Sequence, residues 1–204
     1  MSLYIVLFII GSYFLGNING AYLVTKIKTG QDIRQLGSKN AGARNTGRMI
    51  GKTGFVITVI IDAIKTFLPL FLSVYLFGYH DLLLILVGLA VMLGHVWPIT
   101  LGFHGGRGVV VFLATTLFIA IQSFIPLILI GLLTFSIARN FTIAGSIGML
   151  SIPLSTYFLH QSIILSIGLL ILLLFVFYLL SPMFDKVQHA IFNKNSIKKT
   201  DKAK

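Results

Sequence analysis

Residues 163–180 read IILSIGLLILLLFVFYLL, eighteen positions without a charged side chain. A helix of that length rises about 27 Å, close to the roughly 30 Å of a bilayer's hydrocarbon core. Backbone amides and carbonyls in lipid need internal partners, so such a run is a helix and not an open strand. Six further apolar stretches precede it, at roughly 3–25, 54–77, 82–97, 108–121, 124–138 and 143–159. The fourth and fifth are short and meet at Gln122-Ser123, so one broken hairpin is an alternative for them. The expected fold is all-α: a polytopic membrane bundle of about seven transmembrane helices. Residues 1–192 would form one membrane domain, and 193–204 a lysine-rich cytoplasmic tail.

The composition agrees. Of 204 residues, 56% are hydrophobic and 10% charged, against about 25% charged in soluble domains. Mean hydropathy is +0.96. The chain has no cysteine, which excludes disulfides, thiolate nucleophiles and Cys-ligated metals. Its net charge of +11 sits between apolar runs, so anionic lipid or substrate is expected as partner rather than nucleic acid.

The loops set an expected orientation. Lys26, Lys28, Arg34, Lys39, Arg44, Arg48 and Lys52 share the first loop with one acid, Asp32. Arg107 lies in the third loop, Arg139 in the fifth, and six lysines follow Pro182. The alternate loops, at Tyr79-His80-Asp81, Gln122-Ser123 and His160-Gln161-Ser162, carry no Lys or Arg. The positive-inside rule then places the basic loops and the C-terminus in the cytoplasm, with the N-terminus outside. The first apolar run has no basic region before it and no small-x-small cleavage pattern, so it reads as a retained anchor.

Two loops carry the chemistry. In the first, Gly37, Gly42 and Gly47 alternate with Ser38, Asn40, Asn45 and cations. Glycine lets backbone N–H groups approach an anion, and Ser, Asn and Arg add donors that suit phosphate oxygens. A contact with lipid headgroups is the plainer alternative. Gly51-Lys52-Thr53 is not a nucleotide P-loop, since that motif needs Gly at position 46, which is Thr. In the second, His95-Val96-Trp97-Pro98 precedes His104-Gly105-Gly106-Arg107-Gly108, which opens a new apolar helix. Free amides at such a helix start favour an anion; a tight turn with a snorkelling arginine is the other reading. Asp62 and Lys65 lie three apart inside the second span and pair on one face. They either hold the structure together or shape a polar site from below. His95 is either a proton carrier or a histidine packed at the interface.

Together these pieces resemble the bacterial acyl-phosphate:glycerol-3-phosphate acyltransferase family of small seven-helix enzymes. That family's first motif, Gly-Ser-Gly-Asn-x-Gly-x-Thr-Asn with Arg three residues on, corresponds to Gly37-Ser38-Lys39-Asn40-Ala41-Gly42-Ala43-Arg44-Asn45 and Arg48. Its second, His-x-x-Pro then Lys-Gly-Gly-Lys-Gly, corresponds to His95–Pro98 and His104–Gly108, and its Asp-x-x-Lys to Asp62 and Lys65. The departures are His104 and Arg107 for the two lysines, Arg44 for threonine, and a third motif reduced to Arg139. The C-terminal His-x-x-Asn is also changed, with His189 four positions before Asn193. The resemblance implies acyl transfer from acyl phosphate to glycerol 3-phosphate, in contact with membrane lipids and without metal or cofactor. It implies Ser38, Arg48 and His104 as catalytic residues. Asn40, Gly42, Asn45, Gly105, Gly106, Arg107, Gly108 and Arg139 are implied as substrate-binding.

Two other classes share some of these features. A relative without turnover would keep the anion-binding loops, and a small transporter would show two related halves with paired broken helices, which this sequence lacks. A two-metal phosphotransferase would need clustered carboxylates, and the five acids here are scattered.

Overall fold

A computed structural model of the protein describes residues 3–181. The tail at 193–204, and with it His189 and Asn193, lies outside them. The described residues form nine α-helices: α1 (Leu3–Gly16), α2 (Gly20–Thr29), α3 (Ala43–Ile50), α4 (Lys52–Phe77), α5 (Asp81–Val96), α6 (Val109–Ile119), α7 (Phe124–Ala138), α8 (Phe141–His160) and α9 (Ile163–Leu180). Short 3-10 turns at Ile33–Gln35, Ile99–Leu101 and Ile121–Ser123 join some of them. Among the described residues six segments are long and apolar enough to cross a membrane, and α6 is a shorter apolar seventh. The protein is an integral, multi-pass membrane protein. Its outer surface is a belt of Leu, Ile and Phe, including Leu7, Phe14, Ile64, Phe71, Leu133 and Leu174.

α5 is the central post, with eleven buried residues from Leu83 to Val96. No hydrophobic effect drives helices together in lipid, so close van der Waals approach must do it, and small residues permit that. A Cβ on Gly16 of α1 would strike the Val91 carbonyl of α5, and one on Gly94 would strike the Tyr13 carbonyl of α1. On another side, a Cβ on Gly168 of α9 would come within 2.7 Å of Ile85 Cδ1. α6 packs on α4, α5 and α9, whereas α7 lies on α8. The two short spans therefore do not pair as a broken hairpin.

The first span differs from expectation. It is not one helix over 3–25 but two, interrupted at Asn17-Ile18-Asn19. Asn19 caps α2, its Oδ1 accepting from the Tyr22 amide at 2.9 Å, and Asn17 Nδ2 donates back to the Tyr13 carbonyl at 2.8 Å. Asparagine side chains compete for backbone groups in this way, which stops one helix and starts the next.

The basic loops meet at one end of the bundle. Arg34 Nη1 donates to the Leu101 carbonyl, joining first loop to third. Arg44 Nη1 donates to Thr142 Oγ1 at 2.8 Å, joining the first loop to the start of α8. At the opposite end Ser162 donates to Asp81, and Ser123 pairs with Thr156 at 2.8 Å.

Candidate active site

The floor of the basic end is a buried ionic seam. Lys65 on α4 sits 2.8 Å from Asp62 Oδ1, and both are almost fully buried. The ammonium has three N–H donors, and the structure supplies three acceptors: Asp62, the Ile18 carbonyl at 2.6 Å and His95 Nδ1 at 2.8 Å. An ammonium donating to His95 Nδ1 requires the tautomer that carries its proton on Nε2. Asp62 Oδ1 also accepts the Gly20 amide at 3.2 Å. One lysine thus joins α4, α5 and the break between α1 and α2. His95 is buried here at 3% exposure, not packed at the interface.

On this floor the two glycine loops touch. Asn19 Nδ2 donates to the Ala41 carbonyl of the first loop at 3.1 Å. That carbonyl lies 2.7 Å from where a Cβ on Gly106 would stand, and the same Cβ would overlap the His95 ring. Gly106 is therefore glycine because two neighbours leave no room. The Gly105 amide donates to Val96 O at 3.0 Å and the Gly106 amide to His95 O at 3.1 Å. Both amides fold the turn back onto the end of α5. Gly108, at φ +75°, makes the left-handed entrance to α6.

The first loop is built around Asn45, which is 1% exposed. Its Nδ2 donates to the carbonyls of Leu36 (2.9 Å), Asn40 (3.0 Å) and Ile33 (3.3 Å), and its Oδ1 accepts the Ser38 amide at 3.0 Å. This side chain shapes the loop from within. Gly37 at φ +52° and Lys39 at φ +60° turn the chain around it. Asp32 caps the short turn before this loop and holds Arg34, 2.6 Å away. Partial burial alone would raise the Asp32 carboxyl. The hydrogen bonds and charge of Arg34 outweigh that and hold it below its ordinary range.

The remaining sequence-derived residues line the rim. Ser38 and Arg48 are exposed, while Asn40 and Gly42 are half-buried. His104, its Nδ1 2.6 Å from the Gly102 carbonyl, and Arg107 are half-buried beside the second turn. Arg139 is exposed at the end of α7, three positions before the Thr142 that Arg44 reaches. The structure thus gathers the first, third and fifth loops at one mouth. Among the described residues no group of three or more His, Cys, Asp or Glu is arranged to hold a metal.

The family described as glycerol-3-phosphate acyltransferase matches residues 6–187. The chain belongs to that family. A glycerol-3-phosphate acyltransferase 1 of Bacillus cereus (strain ATCC 10987 / NRS 248) is 36% identical over 173 residues, covering 83% of this chain and 94% of the relative. The glycerol-3-phosphate acyltransferase of Endomicrobium trichonymphae is 38% identical over 162 residues, covering 77% and 78%. Among solved structures, PlsY (YgiH), an integral membrane glycerol 3-phosphate acyltransferase, is similar in its glycerol 3-phosphate form. It superposes with a TM-score of 0.79 at 27% identity, covering 92% of this chain and 93% of that one. Its lysophosphatidic acid form gives a TM-score of 0.76 at 25% identity over the same shares.

For this acyltransferase, reading the sequence missed Asn17 and Asn19, which pass for tolerated polar residues inside an apolar run. It also missed the bond from Lys65 to His95. The signal for that bond was present, since an Asp-x-x-Lys pair in one span leaves an ammonium with donors to spare.

Proposed function

We propose that this acyltransferase moves an acyl group from acyl phosphate to the 1-hydroxyl of glycerol 3-phosphate, forming lysophosphatidic acid for phospholipid synthesis. The hydroxyl oxygen attacks the acyl carbon and an ester C–O bond forms. The bond to the phosphate oxygen breaks with its electron pair, and the hydroxyl proton goes to a phosphate oxygen. The donor is a mixed anhydride, already activated, so the residues need only bind, orient and stabilise. The observation that supports this is the contact of the two loops at Ala41 and Gly106, which joins the segment that carries Ser38, Asn40 and Arg48 to the one that carries His104 and Arg107. Holding two phosphate-bearing reactants there would supply several kcal/mol by positioning. Cations around the developing oxyanion and the leaving phosphate would supply more. Ser38, Arg48 and His104 are assigned to the reacting groups, and Arg107 and Arg139 to phosphate. Gly42, Gly105, Gly106 and Gly108 keep the backbone close enough for the loops to meet. The active face is cytoplasmic, with the N-terminus outside the bacterial cell membrane and the C-terminus inside.

Purified protein given acyl phosphate and glycerol 3-phosphate should yield lysophosphatidate. No product at any substrate concentration, with both still bound, would leave binding alone as the function. Because the chain lacks cysteine, single cysteines report orientation cleanly. One at Ser38 should be shielded from an impermeant thiol reagent in intact spheroplasts, and one at Ser162 should react.

A further inference from the structure

At the edge of the mouth, where α3 passes into α4, lies an open depression of about 530 Å³ lined by Arg44, Gly47, Arg48, Lys52, Phe55 and Val56. Arg44 and Arg48 lie one turn apart on α3, and Lys52 opens α4 just past Gly51 at φ +91°, so the row is set by their shared place in the lining of this depression. All three are exposed, and no acid lines the depression. Its lower wall is apolar: Phe55 is 44% and Val56 50% exposed, within the belt that faces lipid. Gly47 lets the Phe55 side chain lie close, since a Cβ there would stand 3.1 Å from Phe55 Cβ. Arg44 is also tied to α8 through Thr142, which steadies the outer end of the row.

A row of three cations directly above an apolar wall matches a particular chemistry. The ligand should present one phosphate with an alkyl chain leaving it downward into the bilayer. A free phosphate would have no use for Phe55 and Val56. We propose that this ledge seats the phosphate of a single-chain phosphate amphiphile, the acyl donor, so that the donor loads sideways from the membrane with its chain over Phe55 and Val56. The proposal rests on the acyl-transfer reading and deepens it. Arg48 serves the lipid-borne reactant, and Arg44 and Lys52, which the family motifs do not contain, become determinants of donor binding. The soluble acceptor then uses the inner side of the mouth.

The test uses the full chain in phosphatidylcholine nanodiscs. The probe is 2-oxoheptadecylphosphonate, the analogue of palmitoyl phosphate in which a methylene replaces the anhydride oxygen, so binding is read without turnover. The double variant Arg44→Thr with Lys52→Gln should weaken its binding about three- to tenfold, as expected for two exposed charge contacts. The KM for acyl phosphate should rise by the same factor and that for glycerol 3-phosphate should hold within about twofold. Val56→Ser should weaken binding of this long-chain probe but leave 2-oxopropylphosphonate, which lacks the chain, unchanged. These residues are exposed, so thermal melting should match wild type. Unaltered phosphonate binding in both variants overturns the proposal. So does a loss confined to glycerol 3-phosphate, which would give the ledge to the soluble acceptor. A loss seen only when the discs contain phosphatidylglycerol also overturns it, in favour of a bilayer headgroup. If wild type binds the phosphonate through the ledge yet forms no lysophosphatidate, the seat stands and the catalytic reading fails.

Discussion

The inner seam of Asp62, Lys65 and His95 and the outer row of Arg44, Arg48 and Lys52 use charge in opposite ways. In the seam each residue is 1–3% exposed and every Lys65 donor has an acceptor. In the row the cations stand exposed with no acid beside them. An ion inside a membrane protein persists only when fully paired, so buried charge holds helices in register. An exposed cation lacks that constraint and stays available to a ligand. Counting charged residues in a membrane protein therefore says little about its site until burial divides them.

Removing the lysine of the seam should give the largest effect. Lys65→Met strands Asp62 without a counter-charge and should cost about 3–5 kcal/mol of stability. Adding Asp62→Asn should return much of it, read as thermal unfolding in detergent. A single variant that melts like wild type would break the distinction. Next in size is Arg48→Ala on the rim, where activity should fall and stability should not. A guanidinium–phosphate contact is worth about 1.5–3 kcal/mol, or roughly ten- to a hundredfold in kcat/KM. Arg48→Lys should recover only part, since an ammonium cannot grip two oxygens in a fork. Equal loss of melting temperature would move Arg48 into the architecture.

Gly106→Ala probes the boundary between the two regions. The added methyl meets the His95 ring and the Ala41 carbonyl while the backbone amide is kept. Overpacking of this kind costs about 1–3 kcal/mol. Melting should therefore drop, and turnover with it. Lost glycerol 3-phosphate binding at unchanged stability would instead show a ligand lying against that glycine.

The smallest effect belongs to Asp32. Its carboxyl is held below the ordinary 3.8, so the folded state favours its ionised form. That stability is fully present above the ordinary value and is lost as pH falls through the lower folded one. The pair is partly exposed and solvent-screened, so Asp32→Asn should cost less than about 1 kcal/mol at pH 7. A wild-type minus variant difference that does not shrink as the pH is taken below 4 would disprove the assignment.

Much of this was legible in the sequence. An uncharged run such as 163–180 declares a span without reference to any neighbour, because the solvent alone imposes it. Six of the seven apolar runs reappear as single helices at nearly their expected bounds, the first being split in two at Asn17-Ile18-Asn19, and the glycine-and-cation pattern located both loops that meet in the mouth. What stayed hidden depends on partners distant in the chain. Asn45 is indistinguishable by type from a substrate ligand, and only its four bonds within the loop reveal its part in shaping it. The amides of Gly105 and Gly106 resembled an anion cradle because nothing local shows the end of α5 folding back to take them.

The shortness of α6 has a consequence for depth. Eleven residues rise about 16 Å, roughly half of a hydrocarbon core of about 30 Å. The rest of that crossing falls to the glycine turn before α6 and the 3-10 turn after it. Non-helical backbone at such depth is tolerated only where protein encloses it or water reaches it, and α4, α5 and α9 enclose α6. The shortness of the helix predicts a mouth sunk below the headgroups. A fluorophore at Phe103 should be quenched by lipid-borne quenchers placed below the headgroup level, and not chiefly by ones at the surface. Lowering the floor brings a water-soluble acceptor down to the level where a lipid's acyl carbon lies, so neither reactant has to leave its own solvent to meet the other.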